Sequence, residues 1–176
     1  MKADGILNGI RVLDLSQYLA GPHATLLLSG MGAEVIRLDN PVTGDSLSGA
    51  PVFYGEQGPT IQKRDDSDIG IAFLKRQRGK KSITLDLKSP EGHALFLRLV
   101  EKADVLVENF SVGVTRRLGI DYTATSARNQ RIVYCALTGY GSTGPDAGVR
   151  AYDVTVQAAA GLMSVTGMPG QPPMKA

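Results

Sequence analysis

The order of strand and helix signals predicts an α/β protein, an open parallel sheet with helices flanking its faces. Three observations carry this. A strand–helix–strand run over 11–38 has the size of one parallel βαβ unit, and a second such run follows over 82–107. Polar or glycine-rich stretches at 16–22, 39–45, 108–117 and 138–145 each come directly after a strand signal. Open parallel sheets bind ligands outside the carboxyl ends of their strands, so the four stretches are expected to converge on one rim. Finally, 176 residues with 43% hydrophobic and 20% charged content suffice for one globular domain with a sizeable core.

Arg11 to Leu15 (RVLDL) is the first strand candidate. Gly21-Pro22 then opens a helix, because proline suits a first helical position whose N–H would be unpaired anyway. Ala24 to Leu28 is apolar, and Gly30 and Gly32 close that helix. Ala33 to Leu38 is the second strand. Gly30-Met31-Gly32 is not a dinucleotide fingerprint, because such glycines must follow a strand and open a helix for their amides to meet a pyrophosphate. Here they close a helix and precede a strand. Residues 40–70 are rich in Gly, Pro, Ser and Asp and have no clear period, so a long loop is expected there.

Five basic residues fall within 75–81. They form a solvated basic loop, a patch for polyphosphate, since charged donors bind phosphate more strongly than neutral ones, or a nuclear or RNA signal, which the small net charge disfavours. Ser82 to Leu87 alternates as a strand does. Ser89, Pro90 and Glu91 supply an N-cap, a first-turn proline and a first-turn acid. Leu95, Phe96, Leu99, Val100 and Ala103 then form the apolar stripe of a helix over about 90–102.

Val105 to Gly119 is the stretch around which the site is expected. A short apolar strand (Val105 to Val107) exits through Glu108, Asn109 and Phe110, turns at Gly113, and starts a helix carrying Arg116 and Arg117. An amide, an aromatic ring and a guanidinium at one strand end fit a planar, phosphate-bearing ligand; the alternative is an ordinary connection with Arg117 on a solvated face. Tyr122 to Asn129 is a helix candidate and Arg131 to Leu137 the strand after it, on which Cys135 reads as a small buried apolar residue. The loop at 138–145 is glycine-rich, so a ligand can approach its backbone closely. Asp153 to Met163 reads as a helix in which Asp153 and Gln157 share a face.

Composition excludes several classes. A net charge of +2 is too small to argue for nucleic acid. No apolar run reaches the roughly 18 residues of a membrane span. The opening Met1 to Gly5 has no apolar segment behind its lysine, so no secretory leader is expected. The single cysteine excludes an internal disulfide and fits a reducing, cytoplasmic setting. His23 and His93 match no metal-ligand spacing, and no metal is expected.

Taken in order, LNGIRVLDL from Leu7, LAGP from Leu19, MGAEVIRL from Met31, GKKSITLDLK from Gly79, DVLVENF from Asp104, RLG from Arg117, GYG from Gly139, and Ala151-Tyr152-Asp153 with Gln157, Ala158 and Gly161 resemble the N-terminal part of the class III coenzyme A transferase family. The resemblance spans nearly the whole chain. It implies a Rossmann-like open parallel sheet over 1–176, forming the CoA-binding part of a larger enzyme, and an interlocked homodimer in full-length members. It implies CoA transfer from an acyl-CoA to a free carboxylic acid through an aspartyl-CoA thioester, with CoA as substrate; neither nucleic acid nor membrane is expected as partner, from the small net charge and the lack of a long apolar run. Carried over position by position, the CoA contacts are Leu19, Ala20, Asn40, Leu85, Asp86, Leu87, Lys88, Asn109, Phe110, Ser111, Arg117, Val149, Arg150, Ala151 and Tyr152.

Three departures matter. Asn40 stands where some members carry arginine, and Gln77 where an asparagine is common. The transferase nucleophile is an aspartate expected beyond Ala176, so residues 1–176 alone are expected to be inactive. Asp153 corresponds to a second acidic position that lines the transferase active site and is catalytic in related acyl-CoA racemases. Those racemases carry histidine before it, where Tyr152 stands here, and neither histidine falls near their base position at about 120–125. A racemase-type member and a non-catalytic CoA-binding module are the alternatives.

Overall fold

The structure is a computed structural model that describes residues 5–45 and 47–176. The reading of the extreme N-terminus as free of a leader falls partly on residues 1–4, outside the described residues. The chain divides into two compact units, Met1–Leu137 and Thr138–Ala176.

In the first unit the chain runs β1 (Arg11–Asp14), α1 (Ala20–Gly30), β2 (Glu34–Asp39), β3 (Phe53–Gly55), β4 (Gly58–Thr60), β5 (Ile69–Gly70), α2 (Ile71–Gln77), β6 (Lys81–Thr84), α3 (Pro90–Val100), β7 (Val105–Glu108), α4 (Val114–Arg117), α5 (Tyr122–Ser126) and β8 (Val133–Ala136). Five strands form one parallel sheet in the order β6-β2-β1-β7-β8. The chain first builds outward from β1 through β2 to β6. It then returns to the other flank of β1 with β7 and continues to β8. The switch point of this Rossmann-like sheet therefore lies between β1 and β7.

Alternate strand residues face opposite sides of the sheet. Leu13, Leu38 and Leu106 join Phe96 and Val100 of α3, with Ala103, Ile120 and Ile132, in the larger buried cluster. Val12, Val35 and Val107 join Ala33 in the other, with Leu28 of α1 packed against it. A parallel sheet must be covered on both faces, and these two sets do so.

Several expectations need correction. Residues 40–70 are not only loop: β3, β4 and β5 form a small antiparallel sheet ordered β4-β3-β5. Strands of three, three and two residues are too short to show a period of two. Pro22 occupies the third helical position of α1, still inside the first turn, whose amides have no intrahelical acceptor. The expected strand at 82–87 is Lys81–Thr84, with Leu85 adding one further ladder bond from its N–H to the Asp39 carbonyl at 2.9 Å. Leu95 is 43% exposed and lies off the apolar stripe of α3, while Leu97 packs on the core in its stead. Cys135 is half-buried, because β8 is an edge strand of the parallel sheet.

The second unit carries α6 (Asp153–Ala159) and a 3₁₀ turn over Leu162–Val165. Gly139 is needed there because a Cβ at that position would lie 1.9 Å from the Cβ of Ala151. Among the described residues no helix is long and apolar enough to cross a membrane.

Candidate functional site

The loops leaving β1 and β7 part company at the switch point, and the sequence ties them together there. The side chain of Asn109 accepts from Gln17 N–H through Oδ1 and donates to the Gln17 carbonyl through Nδ2, both at 2.8 Å. This two-point amide clip fixes the β1 loop in register with the β7 exit. The next residue, Tyr18, takes a left-handed backbone (φ 63°), uncommon for a bulky side chain, and the turn delivers the chain into α1.

Beneath the β1 loop lies a buried ion pair. Lys80 Nζ donates to Asp14 Oδ2 (2.9 Å), the Pro22 carbonyl (2.9 Å) and Thr25 Oγ1 (2.7 Å), which uses all three ammonium hydrogens. Both side chains are 1% exposed. Asp14 also accepts from Ser16 N–H at 3.0 Å and from the hydroxyls of Ser16 and Thr25. Burial pushes the Lys80 ammonium below its ordinary value, and the Asp14 carboxylate opposes that. The basic run at 75–81 is thus neither wholly solvated nor wholly free for phosphate. Lys80 is an internal strut joining the segment before β6 to the start of α1, and Lys81 pairs with Glu34.

A second buried network sits at the end of β2. Arg37 donates through Nε to both Asp39 oxygens at 2.9 Å, and through Nη2 to Asp39 Oδ1 and Asp45 Oδ2. Its guanidinium carbon lies 5.0 Å from the centroid of the Phe73 ring. Burial alone would lower the Arg37 pKa, but the bonds to Asp39 and Asp45 outweigh it and hold the group above its usual value. Ser82 Oγ donates to Asp39 Oδ2 at 3.1 Å.

Outside the carboxyl ends of β1, β2, β6 and β7 opens a cleft of about 190 Å³. Its walls are Leu15, Leu38, Leu85, Leu87, Phe110 and Leu118, continuous with the larger core cluster. Gln17, Asp39, Asn40, Thr43, Asp86 and Lys88 complete the lining. The 85–88 turn is set by its neighbours. Ser89 caps α3 by accepting from Gly92 N–H (3.0 Å), and Asp86 Oδ1 accepts from Lys88 N–H (2.9 Å). Gly92 lets the helix approach closely, since a Cβ there would lie 1.9 Å from the Asp86 carbonyl oxygen. Asn40 Oδ1 accepts from Val42 and Thr43 N–H (2.8 and 3.1 Å), ordering the turn after β2. On the β7 side, burial pushes the Glu108 carboxyl up while the bond from Phe110 N–H (2.8 Å) pulls it back. Tyr134 beside it is likewise raised, by burial first and then by the Glu108 charge.

Of the residues expected from the sequence, the cleft gathers Asn40, Leu85, Asp86, Leu87, Lys88 and Phe110. Leu19 and Ala20 are exposed at the start of α1, and Asn109 is committed to the Gln17 clip. Ser111 is exposed on the β7 loop. Arg117 ends α4, and its Nη1 would lie 3.3 Å from a Cβ on Gly113, so its side chain folds back on that loop. Val149, Arg150, Ala151 and Tyr152 lead into α6 in the second unit. Asp153 heads that helix and accepts from Gln157 Nε2 at 2.9 Å, with Lys175 Nζ 3.8 Å away. No group of metal-ligating side chains occurs among the described residues. The expectation from sequence left out Leu15, Gln17, Leu38, Asp39, Thr43 and Leu118. Gln17, Asp39 and Thr43 fall within the 16–22 and 39–45 stretches that the strand-end rule had already set at the rim, and Leu15 and Leu38 adjoin them.

The model of CoA-transferase family III matches residues 7–176. The chain belongs to CoA-transferase family III. It is 43% identical to a succinate–glutarate CoA-transferase of Agrobacterium fabrum over 171 residues, which cover 97% of this chain and 41% of that protein. It is 39% identical to an acetyl-CoA:oxalate CoA-transferase of Acetobacter aceti, covering 99% and 42%. A crystal structure of a CaiB/BaiF family protein from Brucella suis superposes with a TM-score of 0.89 at 36% identity, covering 99% of this chain and 44% of that one. The chain thus spans about two fifths of the length of these relatives. That superposition covers both the parallel sheet and the elements that line the cleft.

Proposed function

We propose that this family III chain is the CoA-binding part of an enzyme that passes CoA from an acyl-CoA thioester to a free carboxylic acid. The observation that carries the reading is the apolar cleft at the carboxyl edge of the sheet, which gathers six of the expected CoA contacts. Ligand pockets for whole drug-sized molecules run from about 300 to 1,000 Å³. A cleft of about 190 Å³ therefore fits one end of CoA, and its leucine and Phe110 side chains suit the adenine. Lys88 lines it and makes no bond to another described side chain, so its ammonium is free to meet phosphate. Asn109, Phe110, Ser111 and Arg117 would follow CoA along the β7 loop. Leu19 and Ala20 would do so at α1.

The chemistry follows covalent catalysis. An enzyme aspartate attacks the thioester carbonyl and expels CoA thiolate, leaving a mixed anhydride. The thiolate attacks the aspartyl carbonyl and releases the donor acid. The acceptor carboxylate then attacks the aspartyl thioester, and the returning thiolate takes the new acyl group and frees the aspartate. No residue of the described chain is assigned as that nucleophile; Asp153 is assigned to the lining of the active site. Residues 1–176 by themselves are expected to bind CoA without exchanging it. The relatives act, by their names, on succinate, glutarate and oxalate, so short dicarboxylates are the acids to test first.

The test supplies the full-length enzyme with succinyl-CoA and glutarate and follows glutaryl-CoA. Exchange is expected, and Arg117→Ala should raise the KM for the thioester. No exchange with any of a panel of free acids would overturn the transferase reading, and an unchanged KM would remove Arg117 from the site.

A further inference from the structure

We propose that Asp39 reads the adenosine end of the ligand, accepting a hydrogen bond from a neutral N–H or O–H donor while the phosphates are turned toward Lys88. The inference rests on the CoA reading above. A carboxylate offers about four acceptor places. At Asp39 three donor hydrogens arrive: one from Arg37 Nε shared between both oxygens, one from Arg37 Nη2, and one from Ser82 Oγ. One place remains. The side chain is 14% exposed, and Asp39 is one of the residues that line the cleft.

Charge points the same way. Asp14, Asp39 and Asp45 set three carboxylates against Lys80 and Arg37, which leaves one net negative charge in the two neighbouring networks. Asp39 is the member of these networks that reaches the cleft. A phosphate beside it would be repelled, whereas an amine or hydroxyl would be held by a charge-assisted bond. Lys88 supplies the opposite charge to the same cleft, and the Asp86 carboxylate in its turn already accepts from Lys88 N–H at 2.9 Å. A bound nucleotide is thereby oriented: base and sugar donors toward the end of β2, phosphates toward the 85–88 turn. Arg37 keeps the carboxylate at this angle from beneath.

The test is calorimetric, on the full chain. Adenosine 3′,5′-bisphosphate is compared with its inosine counterpart, which lacks the exocyclic amine, and with its 2′-deoxy counterpart, which lacks the hydroxyl. One of the two should bind about tenfold more weakly, as expected for losing a hydrogen bond to a charged group. In Asp39→Asn that same analogue should lose much less relative to the parent ligand, a non-additivity that a purely structural role would not produce. If neither analogue is weakened in the unsubstituted protein, or if the losses add, the inference is overturned while CoA binding stands. If the unsubstituted protein binds neither CoA nor the bisphosphate, the CoA reading itself has failed. The analogue series needs no substitution, so it decides the matter even where Asp39→Asn does not fold.

Discussion

Lys80→Met removes one partner of an ion pair whose side chains are both 1% exposed. Methionine keeps most of the stem's volume, so the perturbation is chiefly electrostatic. It leaves the Asp14 carboxylate without its cation, and deprives the Pro22 carbonyl and Thr25 Oγ1 of their lysine donor. Removing one member of a buried pair typically costs about 3–5 kcal/mol, since the other charge stays buried and uncompensated. The upper part of that range is expected here, because the ammonium also satisfies two further oxygens. Urea unfolding at neutral pH measures the loss directly. Asp14→Asn should be costly too, but the double substitution should cost less than the sum, by about 1 kcal/mol or more. Because Lys80 pins the start of α1 beneath the β1 loop, the variant should also bind CoA more weakly. A loss under about 1 kcal/mol, or strict additivity with Asp14→Asn, would refute the strut.

Other outcomes follow from the same geometry. Asn109→Ala breaks both bonds to Gln17 and should cost about 1–3 kcal/mol in urea unfolding, with weaker CoA binding. Gly92→Ala forces α3 away from the Asp86 carbonyl; it should lower the thermal midpoint and weaken CoA binding, whereas half-buried Gly58→Ala, with open space around its Cβ but a left-handed backbone (φ 83°), should leave binding unchanged whatever it does to the midpoint. Glu108 has its pKa raised above 4.5 by burial, so between that value and the folded one the folded state holds more protons than the unfolded state. Its contribution to stability therefore declines as pH rises through the folded value. Glu108→Gln should stabilise the protein at neutral pH, and the gain should disappear as pH falls toward 4.5; pH-dependent thermal melts check this.

Much of this architecture is legible in the residues themselves. The apolar strands at 11–15, 33–38 and 105–107 and the Ser89-Pro90-Glu91 helix start are local signals, set by period and capping, and the structure follows them. The strand-end rule located three of its four stretches, 16–22, 39–45 and 108–117, at the cleft, because parallel strands deliver their exits to one edge; 138–145 belongs to the second unit. What remained hidden depends on contacts distant in sequence. Lys80 and Asp14 are 66 residues apart, and nothing within 75–81 distinguishes the buried lysine from its exposed neighbours. Asn109 was visible as a polar strand end, but its clip to Gln17 spans 92 residues. Arg37 reads as the polar member of an alternating strand. Its burial depends on Asp45 and Phe73, which come from the 40–70 excursion that has no period to read.

The central claim is that CoA occupies the cleft at the carboxyl edge of the sheet. Backbone amide NMR of the protein titrated with CoA tests it most directly. The account predicts concerted shifts at Asn40, Leu85 to Lys88 and Phe110, saturating together, with the small antiparallel sheet at 53–70 little changed. Shifts confined to other surfaces, or none at millimolar CoA, would contradict it.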